Sequence, residues 1–323
     1  MFGFILRRLI ASLGVLLVVT VLAFVLFQYV GDPVNQMLGV EATEADRQRL
    51  RAELGLDDSV PSQFARYVAN LAQGELGNSL RQGRPVADMF RERLPATLEL
   101  SLLSGVLALL VGVVLGVSAA IRPNALQAKV AMLFSLIGAT LPSFLIGILL
   151  IMGFSVQLNW LPSFGRGPTE LVGGWSTGLL SARGWVHLIM PVATLCLFQL
   201  ALIVRLSRTE MLEVLKSDYV KFARARGIPE HRIRYGHALR NAMIPVITVA
   251  GLQLGTVIAF ALVTETVFQW PGVGLLFVES LAFADVPVLA AYLCFVSLTY
   301  VGINLLVDLA YVGIDPRLRV SGS

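Results

Sequence analysis

Six long apolar runs, separated by polar segments of unequal length, organise this chain: Leu9–Val30, Thr97–Ile121, Val130–Val156, Leu188–Val204, Ala242–Val263 and Val288–Val312. Each is long enough for a helix to cross a hydrocarbon layer of about 30 Å. The pattern therefore predicts an all-α membrane protein with six transmembrane helices. Arg7 and Arg8 give the first run the look of a secretory leader. Its apolar stretch of about 22 residues is longer than a leader's core, and no A-x-A cleavage site follows, so it reads as an uncleaved anchor.

The polar segments carry their own periodicities. In the long segment 31–96, Thr43 and Asp46 have capping-box spacing before a helix that ends at Gly55. Pro61 opens a second helix, whose Phe64, Tyr67, Val68 and Leu71 share one face before Gly74, and Pro85 opens a third with Val86, Met89 and Phe90 together. These predict a small helical cap, too short for an independent enzyme domain. It serves as packing on the span ends or as a surface for a soluble partner or substrate.

In the basic segment 205–241, Tyr219, Phe222, Ala223 and Arg226 fall at i, i+3, i+4 and i+7, with Lys221 and Arg224 among them. A two-turn helix results, with an aromatic stripe and a natural stop at Gly227. So short a helix is marginal alone. Two readings fit: it docks onto a partner outside the bilayer as a coupling helix, or it lies on lipid headgroups.

Composition agrees with the spans: 56% of residues are hydrophobic and 14% charged, against about 25% charged in soluble domains. Short loops decide orientation by their Lys and Arg content. With the N-terminus cytoplasmic, the inside segments 1–8, 122–129, 205–241 and 312–323 hold fifteen cations and the outside segments 157–187 and 269–287 hold two. N-in, C-in follows, and all four tryptophans, Trp160, Trp175, Trp185 and Trp270, fall at the outer interface. The net charge of +4 reports this topology and does not point to nucleic acid.

Candidate chemistry is sparse. Glu99, Arg205, Glu265 and Asp308 sit near span ends, and no midplane carboxylate or histidine suggests a proton relay. His187, His231 and His237 lie in or beside loops, and Cys196 and Cys294 read as packed, reduced thiols. No metal site, Walker A loop, zinc H-E-x-x-H or G-x-S-x-G elbow is present. No catalytic residue is assigned. Gly112-x-x-x-Gly116 and Gly251-x-x-x-Gly255 allow close helix approach, either as ordinary packing or as a gate or dimer seam. Pro142 and Pro245 free backbone carbonyls. Since the spans lack central charge, a polar solute's path would use neutral groups: carbonyls near Pro142, and Thr140, Ser143 and Gln253.

The run Asp218–Pro245, D-Y-V-K-F-A-R-A-R-G-I-P-E-H-R-I-R-Y-G-H-A-L-R-N-A-M-I-P, resembles the cytoplasmic EAA loop of ABC-importer permeases in the dipeptide, oligopeptide, glutathione and nickel group. The resemblance extends to Gly31-Asp32-Pro33, Leu54-Gly55-Leu56-Asp57, Leu94–Leu100, Trp160-Leu161-Pro162, Thr264–Gly274 and Asp315-Pro316-Arg317, and so to essentially the whole chain. Ala223, Gly227 and Leu239 fit the general EAA pattern, whereas Lys221, Phe222, His237 and Arg240 depart from it as this subgroup does.

The resemblance implies a type I permease core at 95–312, preceded by an extra helix (1–30) and the periplasmic cap (31–94), with a cytoplasmic tail (313–323). It implies a bacterial inner-membrane location and, as partners, a second homologous permease, two ATPase subunits holding ATP and Mg, and a periplasmic substrate-binding protein. It also implies import of di- or oligopeptides or peptide-like solutes, with nickel chelates or another small solute as the alternative. On that resemblance Tyr219, Phe222, Ala223, Arg224, Arg226 and Gly227 form the ATPase-contacting helix. A passive channel or an intramembrane enzyme is the rival from another class.

Overall fold

The computed structural model describes residues 2–29, 34, 38 and 43–314. The Gly31-Asp32-Pro33 and Asp315-Pro316-Arg317 matches, and most of the tail, lie outside them. In chain order the helices are α1 (Phe2–Tyr29), α2 (Glu44–Leu54), α3 (Val60–Ala72), α4 (Val86–Ile121), α5 (Leu126–Thr140), α6 (Ser143–Leu150), α7 (Ala182–Lys216), α8 (Asp218–Ala225), α9 (Leu239–Val267), α10 (Val273–Ala282) and α11 (Val286–Ile314). π-Helical turns at Ile151–Gln157 and Arg232–Ala238 continue α6 and lead into α9. A two-stranded hairpin, β1 (Glu170–Val172) and β2 (Trp175–Thr177), pairs Val172 with Trp175 across Gly173-Gly174.

Five helices are individually long and apolar enough to span a membrane: α1, α4, α7, α9 with its π turn, and α11. The third expected span departs from a straight helix. It is a bent pair, Leu126–Thr140 and Ser143–Gln157, with 112° between the halves. The residue before a proline is pushed to extended backbone, and Leu141 has φ −82° and ψ 136° ahead of Pro142. Counting this pair as one gives six spans.

The expected third cap helix and second span are one 36-residue helix, α4, with Pro95 inside it. Pro95 has no N–H to give the Arg91 carbonyl, so one helical bond is lost there, and the helix runs on through it. The fourth span likewise extends over Ala182–Lys216. The two cap helices begin as their residues dictate. Thr43 and Asp46 form a reciprocal capping box, Gly55 ends α2 at φ +63°, and Pro61 sits in the first turn of α3.

Helix α7 is the hub, packed on α4, α5, α6 and α9, while α1 lies along α11. The glycine pairs serve close packing within the chain. A Cβ at Gly112 would come 2.7 Å from Ile203, and at Gly116 2.6 Å from the Val204 carbonyl, both on α7; at Gly251 it would come 2.5 Å from Val307 on α11. Arg8 pairs with Asp308, joining the start of α1 to the far end of α11. At the opposite end Ser79 donates to the Asp285 carboxylate, and Leu80 N–H donates to its other oxygen at 3.0 Å, fastening the cap to the start of α11. The helices alternate in direction, so cap and hairpin share one end of the bundle and α8 stands at the other.

Candidate functional site

At the α8 end, the short helix is held by one apolar side chain that the periodic reading passed over, Val220, which is fully buried. Phe222 is 62% exposed and Tyr219 43%, while Ala223 is half-buried and Arg226 exposed. The Arg226 guanidinium lies 5.3 Å from the centre of the Phe222 ring. Gly227 has φ +74°, and two bonds close the helix end: Ile228 N–H to the Ala223 carbonyl at 3.2 Å and Gly227 N–H to the Arg224 carbonyl at 2.9 Å. Together these make a Schellman stop, which needs a left-handed residue at that position.

Two polar ties set the angle of α8 against α9. Asn241 Nδ2 donates to the Tyr219 hydroxyl at 2.8 Å, and Glu230 accepts from Arg224 Nε at 2.6 Å and Arg234 Nε at 2.9 Å. The bond from Arg224 does most to hold the Glu230 carboxyl below the ordinary glutamate range; desolvation opposes it, and the charges of both arginines and the bond from Arg234 add to the lowering. The result is a helix fixed to the bundle on one side, with an aromatic and cationic stripe left open on the other.

The four candidate path residues come from neighbouring elements. Thr140 ends α5, and its hydroxyl turns back to the Leu136 carbonyl at 2.8 Å. Exposed Pro142 and half-buried Ser143 form the corner that opens α6, and half-buried Gln253 lies on α9, which packs against α6. No hydrogen bond joins Gln253 to Thr140 or Ser143 among the described residues.

The cap end holds a buried polar junction that the sequence reading did not assemble. Arg166, from the loop before the hairpin, places Nε 3.1 Å from Glu99 on α4, and the two form an ion pair with side chains 6% and 2% exposed. Glu99 also accepts from Thr177 Oγ1 at 3.0 Å and Gly178 N–H at 3.1 Å; Arg166 Nη2 donates to the Ser176 carbonyl at 2.7 Å. Two residues earlier on α4, the Thr97 hydroxyl donates to the buried Glu265 carboxylate at 2.6 Å and accepts Val273 N–H at 2.8 Å, while Leu275 N–H reaches Glu265 at 2.9 Å. Gly272 admits that carboxylate, since a Cβ there would lie 2.3 Å from it.

Trp270 does not sit at the lipid interface as expected. It is fully buried, with its indole N–H on the Ala96 carbonyl at 2.9 Å, whereas Trp160, Trp175 and Trp185 are exposed. The signal for this junction was thin: both glutamates stood out as ionisable residues near span ends, but Arg166 is 67 residues from Glu99.

The bundle of apolar helices, its broken third span and the amphipathic helix at one end define a membrane transport component. Its fold resembles a solved structure of inward-facing conformations of the MetNI methionine ABC transporter, with TM-score 0.52, 16% identity, and coverage of 68% of this chain and 93% of that one. The chain belongs to the family of binding-protein-dependent transport system inner membrane components, whose main domain matches residues 112–320 and whose N-terminal domain matches residues 1–101. It is 38% identical over 320 residues to the glutathione transport system permease protein GsiC of Escherichia coli O6:H1, covering 99% of each chain. It is 39% identical over 317 residues to the probable peptide ABC transporter permease protein y4tP of Sinorhizobium fredii, covering 98% of this chain and 99% of that one. The protein is thus a multi-pass permease of the inner membrane, and membership implies a substrate-binding protein and an ATPase as partners.

Proposed function

We propose that this chain is one of two homologous permease subunits of an ATP-driven importer that moves di- or oligopeptides, or peptide-like solutes, from the periplasm to the cytoplasm. The observation that carries the reading is α8, whose open stripe of Tyr219, Phe222 and Arg226 stands at the end of the bundle opposite the cap. That end also carries the basic loops, which favours N- and C-termini in the cytoplasm. The full-length likeness to glutathione and peptide permeases supports the solute class.

In this mechanism two ATPase subunits bind ATP and Mg and press on α8. Val220, Asn241 and Glu230 pass the displacement to α7 and α9, and the permease pair rocks between inward- and outward-facing states. The chain itself catalyses nothing; each partner acts by binding one conformation better than the other. Thr140, Pro142, Ser143 and Gln253 would offer the solute neutral groups as it passes.

Uptake of labelled di- and tripeptides and glutathione into proteoliposomes holding the whole complex and its binding protein tests this. Uptake should require ATP, and Phe222→Asp should abolish it without loss of assembled complex. Equal uptake without ATP would indicate a channel instead.

A further inference from the structure

Cap helix α3 does not stand clear of the bundle. The Tyr67 hydroxyl lies 3.9 Å from Cys294 Sγ, eight residues into α11 and so about 12 Å along it at the rise of an α-helix. Phe64 meets Phe24 of α1 edge-on, with ring centroids 5.3 Å apart. The helix therefore wedges between the cap-side ends of α1 and α11, at a depth where both belong to the bilayer. Exposed Val60 and Val68 give it further apolar surface, as in helices that lie in a membrane interface.

A cavity of about 500 Å³ opens between α1, α3 and α11, within the range of about 300–1,000 Å³ for small-ligand sites. Phe24, Leu71, Ala290 and Ala291 supply apolar wall, and the exposed Arg66, Asn70 and Glu75 line its polar side. On α1, Phe24 is flanked in sequence by Val21, Leu22 and Val25, which are 40–57% exposed and lie in an apolar stretch long enough to span a membrane. Arg66 Nη2 binds the Gly55 carbonyl at 3.2 Å and pairs with Asp58. Its Nε and Nη1 make no hydrogen bond among the described residues.

We propose that this cavity is a phospholipid site: it takes one acyl chain from the leaflet on the cap side, and the lipid phosphate binds Arg66. Phe24 of the apolar wall stands on a helix apolar enough to span the membrane, so a chain can enter from lipid without crossing water. A void there would forfeit dispersion contacts that an acyl chain restores. A guanidinium suits a phosphate because it presents planar, always-charged N–H donors. The lipid would mortar the extra helix α1 and the cap to the core.

The test uses the complex with its partners, reconstituted in nanodiscs of phosphatidylethanolamine and phosphatidylglycerol, re-extracted in mild detergent and weighed by native mass spectrometry. One phospholipid per copy of this chain should survive extraction. Leu71→Trp, which fills the cavity from a half-buried position, and Arg66→Gln should each cut retention about tenfold, the order expected for losing a charge-assisted bond. Should Leu71→Trp assemble poorly, Arg66→Gln decides alone. Absence of retained lipid, equal retention in Arg66→Gln, or a retained mass matching a peptide-like solute overturns the proposal. Because the readout is bound lipid, the result is independent of whether the importer reading holds.

Discussion

Replacing Arg166 by Met removes the cation paired with Glu99 while keeping a long apolar stem. With both side chains almost fully buried, Glu99 would be left with two neutral donors, Thr177 Oγ1 and Gly178 N–H. Breaking a buried pair in this way costs about 3–5 kcal/mol, because a charge stays in a low-dielectric site without its partner. At roughly 2–4 °C per kcal/mol for a large domain, the apparent melting temperature should fall by about 6–20 °C. Glu99→Gln alone should also destabilise, since the buried guanidinium would lose its counter-charge and keep only neutral partners. The double variant Glu99→Gln/Arg166→Met, with no charge left, should be more stable than the sum of the single effects. Thermal unfolding of the detergent-solubilised complex at fixed lipid and nucleotide measures all four forms, and the cycle isolates the coupling. An Arg166→Met protein that melts within about 2 °C of wild type, or strict additivity in the double variant, would refute the reasoning.

Gly227→Val should strain the left-handed stop by about 1–3 kcal/mol, leaving the protein in the membrane but lowering transport-stimulated ATPase activity; unchanged stimulation would count against a coupling role for α8. The Glu230 carboxyl is held low by Arg224, so its ties are complete above the ordinary glutamate range and are lost as pH falls through the lowered value. A nitroxide at Lys221 should therefore gain mobility only in acid below the ordinary glutamate range, and Glu230→Gln should remove that dependence. In a background lacking Cys196 and Cys294, cysteines at the exposed positions Ser59 and Glu170 should react with an impermeant thiol reagent in spheroplasts, and one at exposed Asp218 should not; the reverse pattern overturns the orientation. Gln253→Leu should slow uptake of every accepted solute by a similar factor per assembled complex, whereas loss of one solute only, or reduced assembly at normal turnover, would exclude a shared path contact.

Much of this protein was legible in the sequence because its signals are local. Apolar run length places helices in lipid, where every backbone group must pair within its own segment. The Thr43–Asp46 box, the Pro61 start and the Gly227 stop are set by residues a few positions apart. The Asp218–Pro245 run carried the family likewise. Tertiary structure decided what depends on distant neighbours. Pro142 marked a disturbance in the third span, but the 112° turn depends on what α5 and α6 pack against. A third cap helix and the second span read as separate segments, yet they are one helix, α4, that runs through Pro95. Val220 became the anchor of α8, and Trp270 exchanged an interfacial place for a buried one, only once other helices covered them. The Glu99–Arg166 pair shows the limit most plainly: a buried charge is tolerable only with its partner beside it, and that partner is supplied by the fold from 67 residues away.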